Sequence, residues 1–321
     1  MIGRHKHCLA LQDFSREEIL EVIDLAVSMK EVLRRPIKKV PSLRGKTVVN
    51  LFFEASTRTR SSFEIAAKVL SADALNWTSS SSSVTKGETL VDTARNLEAM
   101  RPDVLVIRHA AGGAPRLVAD HVGCAVVSAG DGAHEHPSQG LLDCFTLRER
   151  LGDLAGKTVA IVGDISHSRV ARSDLFALTK LGATVRLCGP PTMIPAGIES
   201  LGATVHHELR EAVAGADAVV MLRIQHERIG DPLIPGTREY SKLWGLNARK
   251  AEEWLTPHCV ILHPGPINRG VELAPEVADG PRSLILDQVQ NGVAVRMAIL
   301  YLLAGGSSAE AGGASEAKAH G

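Results

Sequence analysis

The chain lacks most of the features that mark specialised protein classes, and each absence narrows what it can be. Charge of one sign is missing: 36 Lys and Arg balance 36 Asp and Glu, so nothing suggests a general nucleic-acid or membrane surface. Aromatics make up only 3% of the 321 residues, in a composition (45% apolar, 22% charged) that is otherwise that of a soluble globular protein. Cysteine is scarce. Cys8, Cys124, Cys144, Cys188 and Cys259 are odd in number, widely spaced and free of any Cys-x-x-Cys, which fits small buried hydrophobes in a reducing compartment. No apolar run reaches membrane-spanning length and no signal-like segment follows Met1, so a cytoplasmic protein is expected. A dinucleotide fingerprint G-x-G-x-x-G is also absent where one would sit, after the apolar run Thr158–Val162.

What is present is an alternation of strands and helices, which calls for parallel sheets covered on both faces. Ser15 and Glu18 make a capping box before Ile19, Ile23 and Ala26, so a helix starts near residue 15. Strands are predicted at Thr47–Phe53, Asp103–Ile107 and Cys124–Val127, with a short apolar piece at Ala74–Trp77. Helices are predicted from about Thr57, over Glu88–Met100 and from about Ser138 to Arg150. Leu151–Lys157 reads as a hinge. The alternation then restarts, with strands at Thr158–Val162, Thr184–Leu187, Thr204–His206, Asp217–Met221 and Val260–Leu262. Helices follow at about Ser168–Leu181, Leu209–Ala214 and Ala248–Trp254. A last helix, about Gln288–Leu303, is apolar on nearly all faces and is expected to be well buried. Gly305–Gly321 has no apolar periodicity and reads as a disordered tail. The fold class is α/β: two doubly wound domains, each a parallel sheet flanked by helices, with an active site expected in the cleft between them at C-terminal strand ends.

Polar motifs cluster at those strand ends. Ser56-Thr57-Arg58-Thr59-Arg60 lies where a strand gives way to a helix. The first N–H groups of a helix have no internal partner, the dipole adds positive character there, and arginine forks match phosphate oxygens. The run is thus a phosphate trap built without a glycine-rich loop. An N-cap with two solvated arginines is the plainer alternative, but cations at a helix start are unfavourable unless an anion joins them. Arg108 follows a strand and faces the same edge, either to meet the same anion or to pair with a loop carboxylate. His136-Pro137-Ser138-Gln139 opens a helix. His136 and Gln139 can address a carbonyl or an amide, and a plain helix start is the alternative. His134-Glu135-His136 does not put both histidines on one helix face and has no evident third ligand, which argues against metal. Ser79–Ser83, followed by Lys86, suits either a linker or a lid carrying one ammonium. Arg169 opens a helix after Gly163–Ser168, and Arg223 and Gln225 follow a strand. His263-Pro264-Gly265-Pro266 makes a rigid turn whose carbonyls can accept from an NH2 group, while His263 itself is more simply structural.

In this order and spacing, Ser56–Arg60, His136–Gln139 and His263–Pro266 resemble the carbamoyltransferases over about residues 5 to 304. Ser82, Lys86, Arg169 and the Arg223-x-Gln225 pair match the aspartate branch. The Ser-Met-Gly loop and His-Cys-Leu-Pro motif usual in the ornithine branch are absent. The resemblance implies carbamoyl transfer from carbamoyl phosphate to L-aspartate, a step of pyrimidine synthesis. Ser56, Thr57, Arg58 and Thr59 would bind phosphate, and Thr59, Arg108 and His136 would surround the carbonyl oxygen. Gln139 and the carbonyls of Gly265 and Pro266 would hold the carbamoyl NH2. Arg169, Arg223, Gln225 and Lys86 would hold aspartate, with Ser82 and Lys86 reaching in from a neighbouring subunit of a homotrimer. The last helix would return to the first domain, giving a carbamoyl-phosphate-binding domain of 1–150 plus 288–304 and an aspartate-binding domain of 151–287. No metal or cofactor is implied, and no nucleic acid or membrane partner. A dodecamer with regulatory chains or dihydroorotase is left open. The chemistry agrees: attack of an amine on the carbamoyl carbon makes a tetrahedral oxyanion, for which each donor is worth about 2.7–4 kcal/mol. Alignment supplies much of the remaining acceleration, and the leaving phosphate can take the amine proton. A cationic amino acid would want an acidic residue where Arg223 sits. A phosphate-metabolite-binding protein without turnover is the reading from another class.

Overall fold

The computed structural model describes residues 2–78, 88–225, 234 and 236–305. They fall into two compact units, the first made of the described residues within Met1–Leu9, Leu20–Asp131 and Val293–Gly321, the second of those within Ala10–Ile19 and Gly132–Gly292.

The first unit is built on a four-stranded parallel sheet of β1 (Thr47–Phe52), β2 (Asp73–Thr78), β3 (Val104–His109) and β4 (Ala125–Asp131), in the order β2-β1-β3-β4. Its helices are α1 (Arg16–Arg34) from Leu20 onward, α2 (Thr57–Val69), α3 (Leu90–Glu98) and α4 (Ala114–Ala119), the first turn of α1 being in the second unit. Ser15 and Glu18 exchange hydrogen bonds at 2.8 and 3.2 Å, the reciprocal capping box that starts α1. Thr89 caps α3 by accepting from the Asp92 N–H at 3.2 Å. Val49, Leu51, Leu105, Ile107 and Val126 from the sheet pack with Ala94, Leu97 and Val118 into one apolar layer. The outer edge of β4 is covered by Cys8, whose N–H and C=O bond to Val126 and Ser128 at 2.9 and 2.8 Å.

The second unit carries a five-stranded parallel sheet: β5 (Thr158–Val162), β6 (Thr184–Cys188), β7 (Ala203–His206), β8 (Ala218–Met221) and β9 (Val260–Leu262), in the order β7-β6-β5-β8-β9. Its helices are α5 (Pro137–Leu151), α6 (Arg169–Lys180), α7 (Leu209–Val213), α8 (Thr237–Leu243), α9 (Ala248–Trp254), α10 (Pro275–Ala278) and the start of α11 (Ile285–Ala304). Val162, Val219, Met221 and Ile261 pack with Leu209, Leu246 and Ala251 in its core.

Most strands lie where the apolar runs place them; the short helix α10 is an addition to the expected elements, and four other features differ. The helix α4 falls in the Gly112-Gly113-Ala114-Pro115 stretch, for which no helix is expected. It starts after left-handed Gly113 with Pro115 in its first turn. The helix α8 was also unforeseen. Strand β4 runs on through Asp131, past the expected Cys124–Val127, and buried Asp131 at its end accepts from the Gly113 N–H at 2.7 Å. The last helix is buried on all sides only over about residues 294–300. Leu286 and Val289 are 82% and 53% exposed, because the polar Gln288 and Asn291 take the inward positions there.

Helix α5 ends the first half in sequence but packs against α6 in the second unit. The approach is close enough that a Cβ on Gly140 would come within 3.0 Å of Ser173. Further along α11, Arg296 donates to Ser62 Oγ at 3.0 Å and lies over the Phe63 ring at 5.2 Å, so this end of the helix belongs to the first unit.

Candidate active site

Each sheet reverses its strand order once, and these reversals are where open α/β sheets bind ligands. In the first unit the chain moves from β1 to β2 on one side and to β3 on the other. Phe52 pairs with Arg108 across that junction, so the ends of β1 and β3 present Ser56–Arg60 and Arg108 along one edge. Ser56 is the N-cap of α2 with extended backbone, yet its hydroxyl makes no capping bond. Thr57 and Arg58 are exposed and Thr59 is buried. The helix start thus offers hydroxyls and N–H groups under two arginines with no acidic residue in the first turn. Arg108 is held from behind. Its Nε lies 3.3 Å from Glu54 Oε2 as an ion pair off the hydrogen-bond axis, and its NH1 donates to the Ala129 carbonyl at 3.4 Å.

In the second unit the reversal lies between β5 and β8. Gly163 ends β5 with φ +137°, and a Cβ there would press on the Leu222 carbonyl oxygen, so only glycine lets these two strand ends close up. Asp164, fully buried, accepts from the His167 N–H at 3.2 Å, meets His167 Nδ1 at 2.8 Å, and accepts from the Gln225 N–H at 3.1 Å. That carboxylate joins the loop leading to α6 with the segment after β8. Ser168 caps α6 by accepting from Ala171 N–H at 3.2 Å, which places Arg169, 5% exposed, as the first helical residue. Arg223, half-buried, follows β8.

The same unit holds the remaining polar groups. His136 is the N-cap of α5 and is fixed by its N–H to Ser173 Oγ at 2.9 Å. Ser173 in turn donates to Glu135 Oε2 at 2.7 Å, and Glu135 also accepts from the Leu11 and Gln12 N–H groups at 2.8 and 3.1 Å. Burial raises the Glu135 pKa against the pull of those donors. One turn further, Gln139 Nε2 donates to both oxygens of Asp143, at 3.1 and 3.3 Å. Gln288 Nε2 donates to the same carboxylate at 2.6 Å, while Gln288 Oε1 accepts from the His263 N–H at 2.9 Å. Asp174 is buried close to Asp143, and neither of its carboxyl oxygens meets a described donor, whereas Asp143 accepts from both glutamines. Burial first, and Asp143 second, push the Asp174 pKa well up, so Asp174 is the one of the two that holds the proton. The turn after β9 is set by His263, whose Nδ1 accepts from Gly265 N–H at 2.8 Å. Its Nε2 therefore carries the proton and donates to Glu272 at 3.1 Å, both side chains being fully buried. Glu272 also accepts from Asn268 N–H at 2.6 Å. The Gly265–Pro266 peptide bond is cis, and no described donor reaches the carbonyls of Gly265 or Pro266.

Two domain models of one family match the chain: "Aspartate/ornithine carbamoyltransferase, carbamoyl-P binding domain" over residues 6–149, and the "Asp/Orn binding domain" over 155–303. The chain belongs to the aspartate/ornithine carbamoyltransferase family. An aspartate carbamoyltransferase catalytic subunit of Anaeromyxobacter sp. (strain Fw109-5) is 88% identical over 319 residues, 99% of this chain and 100% of that one. The Trypanosoma cruzi aspartate transcarbamoylase, solved with carbamoyl aspartate and phosphate, matches at 30% identity. Its TM-score is 0.84, covering 94% of this chain and 97% of that one. An ornithine carbamoyltransferase from Thermus thermophilus is as close in fold, with 29% identity, a TM-score of 0.83, and 94% and 99% of the chains covered. The backbone therefore does not separate the two branches of the carbamoyltransferases; side chains must.

Within this carbamoyltransferase chain, the structure brings Ser56, Thr57, Arg58 and Thr59 to one edge with Arg108. It joins Gln139 to the turn that carries Gly265 and Pro266 through Asp143 and Gln288, fixes His136 on Ser173, and sets Arg169, Arg223 and Gln225 on the segments that follow β5 and β8. Ser82 and Lys86 lie outside the described residues. Sequence reasoning missed the buried carboxylates Glu135, Asp143, Asp164, Asp174 and Glu272 and the amide Gln288. The one available signal was their position: each lies within ten residues of a motif except Gln288, which sits on the last helix.

Proposed function

We propose that this chain transfers the carbamoyl group from carbamoyl phosphate to the α-amino group of L-aspartate, giving N-carbamoyl-L-aspartate and phosphate in de novo pyrimidine biosynthesis. The observation that carries the reading is the start of α2. There an unused cap hydroxyl, exposed Thr57 and Arg58 and the neighbouring Arg108 form a site whose charge calls for a phosphate dianion. Ser56, Thr57, Arg58 and Thr59 bind the phosphate. Thr59, Arg108 and His136 stabilise the oxygen that becomes negative when the amine attacks, and Gln139 with the Gly265 and Pro266 carbonyls receives the carbamoyl NH2. Arg169, Arg223 and Gln225 hold the aspartate carboxylates, and a second dianion explains why arginine occurs twice in this group. No covalent intermediate is required: the amine displaces phosphate directly, and the departing phosphate accepts the proton.

In this reading the carbamoyl-phosphate-binding domain spans 1–150 plus 288–304 and the aspartate-binding domain 151–287. Ser82 and Lys86 of a neighbouring copy complete the site in a homotrimer in the cytoplasm. A dodecamer would add regulatory chains or dihydroorotase. Among the described residues, no helix is long and apolar enough to cross a membrane. The test is a colorimetric assay for the ureido product with carbamoyl phosphate and either L-aspartate or L-ornithine. Product with aspartate alone is expected. Product with ornithine would reassign Arg169 and Arg223, and product with neither would sink the reading.

A further inference from the structure

Gln139 and the turn after β9 lie on different elements, yet they are joined through two buried side chains. We propose that Asp143 and Gln288 are positioning residues for recognition of the acyl group. Together they lock Gln139 and the His263–Pro266 turn so that both face the substrate with acceptors only, selecting an NH2-bearing acyl phosphate over one bearing CH3. The inference rests on the carbamoyl-transfer reading above and deepens it.

A primary amide can be turned either way, presenting NH2 or C=O, and its neighbours decide which. For Gln139 the neighbour is a carboxylate, which accepts and cannot donate. With Nε2 at 3.1 and 3.3 Å from the two Asp143 oxygens, a flipped amide would set oxygen against oxygen. Oε1 is thereby left as the outward atom. Gln288 is determined at both ends, its Nε2 against Asp143 at 2.6 Å and its Oε1 on the His263 N–H at 2.9 Å. The same contact anchors the start of the turn whose next carbonyls, those of Gly265 and Pro266, meet no described donor. All three side chains are at least nine-tenths buried (Gln139 8%, Asp143 2% and Gln288 3% exposed), so water does not compete for these bonds. A ligand NH2 has two hydrogens to place. A methyl group in its position would leave Gln139 Oε1 and the turn carbonyls desolvated and unpaired, and sites of this type reject such analogues strongly.

The test compares carbamoyl phosphate with acetyl phosphate, which keeps the phosphate and carbonyl and replaces NH2 by CH3. Full-length wild type, Asp143→Asn and Gln288→Leu are assayed for the KM of carbamoyl phosphate and for the inhibition constant of acetyl phosphate. In D143N the new amide donor opposes one of the two glutamine NH2 groups, so one lock is lost. The KM for carbamoyl phosphate is expected to rise about tenfold or more, with the acetyl phosphate constant unchanged. Q288L is expected to move the same ratio by less, and carries the same test should D143N not fold. Asn291→Ala is the control: Asn291 bridges the same two helices through Thr146 and Glu149 at 3.0 and 2.7 Å without touching Gln139. It should lower stability and leave the ratio alone. Both constants moving together, or neither moving, would overturn the inference in favour of a purely structural network. Wild type that fails to make carbamoyl aspartate would instead sink the underlying reading.

Discussion

The two sheets reverse strand order in the same way, but the two junctions are finished differently. At the β1–β3 junction the polar groups are hydroxyls, backbone N–H groups and an exposed Arg58 at a helix start, with one carboxylate, Glu54, behind Arg108. At the β5–β8 junction and around α5 the polar groups are buried and already joined to carboxylates: Asp164, Asp143 and Glu135 each accept two or more hydrogen bonds. The first junction sets its arginines beside an exposed helix start that carries no acidic residue in its first turn. The second spends acidic side chains on holding its readers in place. One topology is thus finished in two ways: positive charge at an exposed helix start in the first unit, and polar side chains held in fixed orientation by buried carboxylates in the second.

The largest effect that would break this contrast comes from the first junction. Arg58→Ala should lower kcat on the order of 10²–10³-fold, because it removes the exposed guanidinium fork from the helix start. Steady-state assays of ureido product measure it, and a variant within a few-fold of wild type would remove the phosphate trap from the account. Next is Arg169→Ala. Loss of a charged hydrogen bond from a buried guanidinium should raise the aspartate KM about 10–100-fold and leave the carbamoyl phosphate KM in place. Equal rises in both would mean that Arg169 supports the fold and not the amino acid.

Smaller effects sharpen the second junction. Gly163→Ala places a methyl group on the Leu222 carbonyl. It should destabilise by about 1–3 kcal/mol, seen as a lower denaturant midpoint with an unchanged slope. Asp174→Asn should stabilise. The raised pKa means that the folded carboxyl keeps its proton to higher pH than the unfolded one. Its contribution is then full below the unfolded value of about 3.9 and is lost as pH rises towards the folded value. An asparagine donates to Asp143 without that loss, so the advantage of the variant in Tm should be larger at about pH 8 than at about pH 5. An advantage that shrinks with rising pH would reverse the proton assignment.

Much of this was legible in the chain. Strands such as Thr158–Val162 and Val260–Leu262 are apolar runs bounded by polar residues, and they end where periodicity places them. The Ser15–Glu18 box started its helix as written. The short helices α4 and α8 were not legible, since six or seven residues show too little periodicity and Gly112-Gly113 and Gly236 mask their starts. The candidate phosphate-side and amino-acid-side residues stand out in the sequence because arginine is unusual at helix starts and at the ends of buried strands. Asp143, Asp174 and Gln288 do not. An aspartate in a helix reads as solvent-facing, and only the packing of α5 against α6 and of Gln288 against Asp143 shows that these groups are inside. The five thiols are consistent with inert packing. Burial raises Cys124 to about 11 and Cys188 and Cys259 to about 12, and holds Cys144 well above its ordinary value.

The most direct test of the central claim, that the start of α2 holds the phosphate of the carbamoyl donor, is a calorimetric titration of carbamoyl phosphate into the full-length wild type and into Arg58→Ala. The account predicts saturable binding by the wild type that is lost or severely weakened in the variant, with inorganic phosphate displacing the ligand from the wild type. Equal affinity in the two proteins, with no displacement by phosphate, would contradict it.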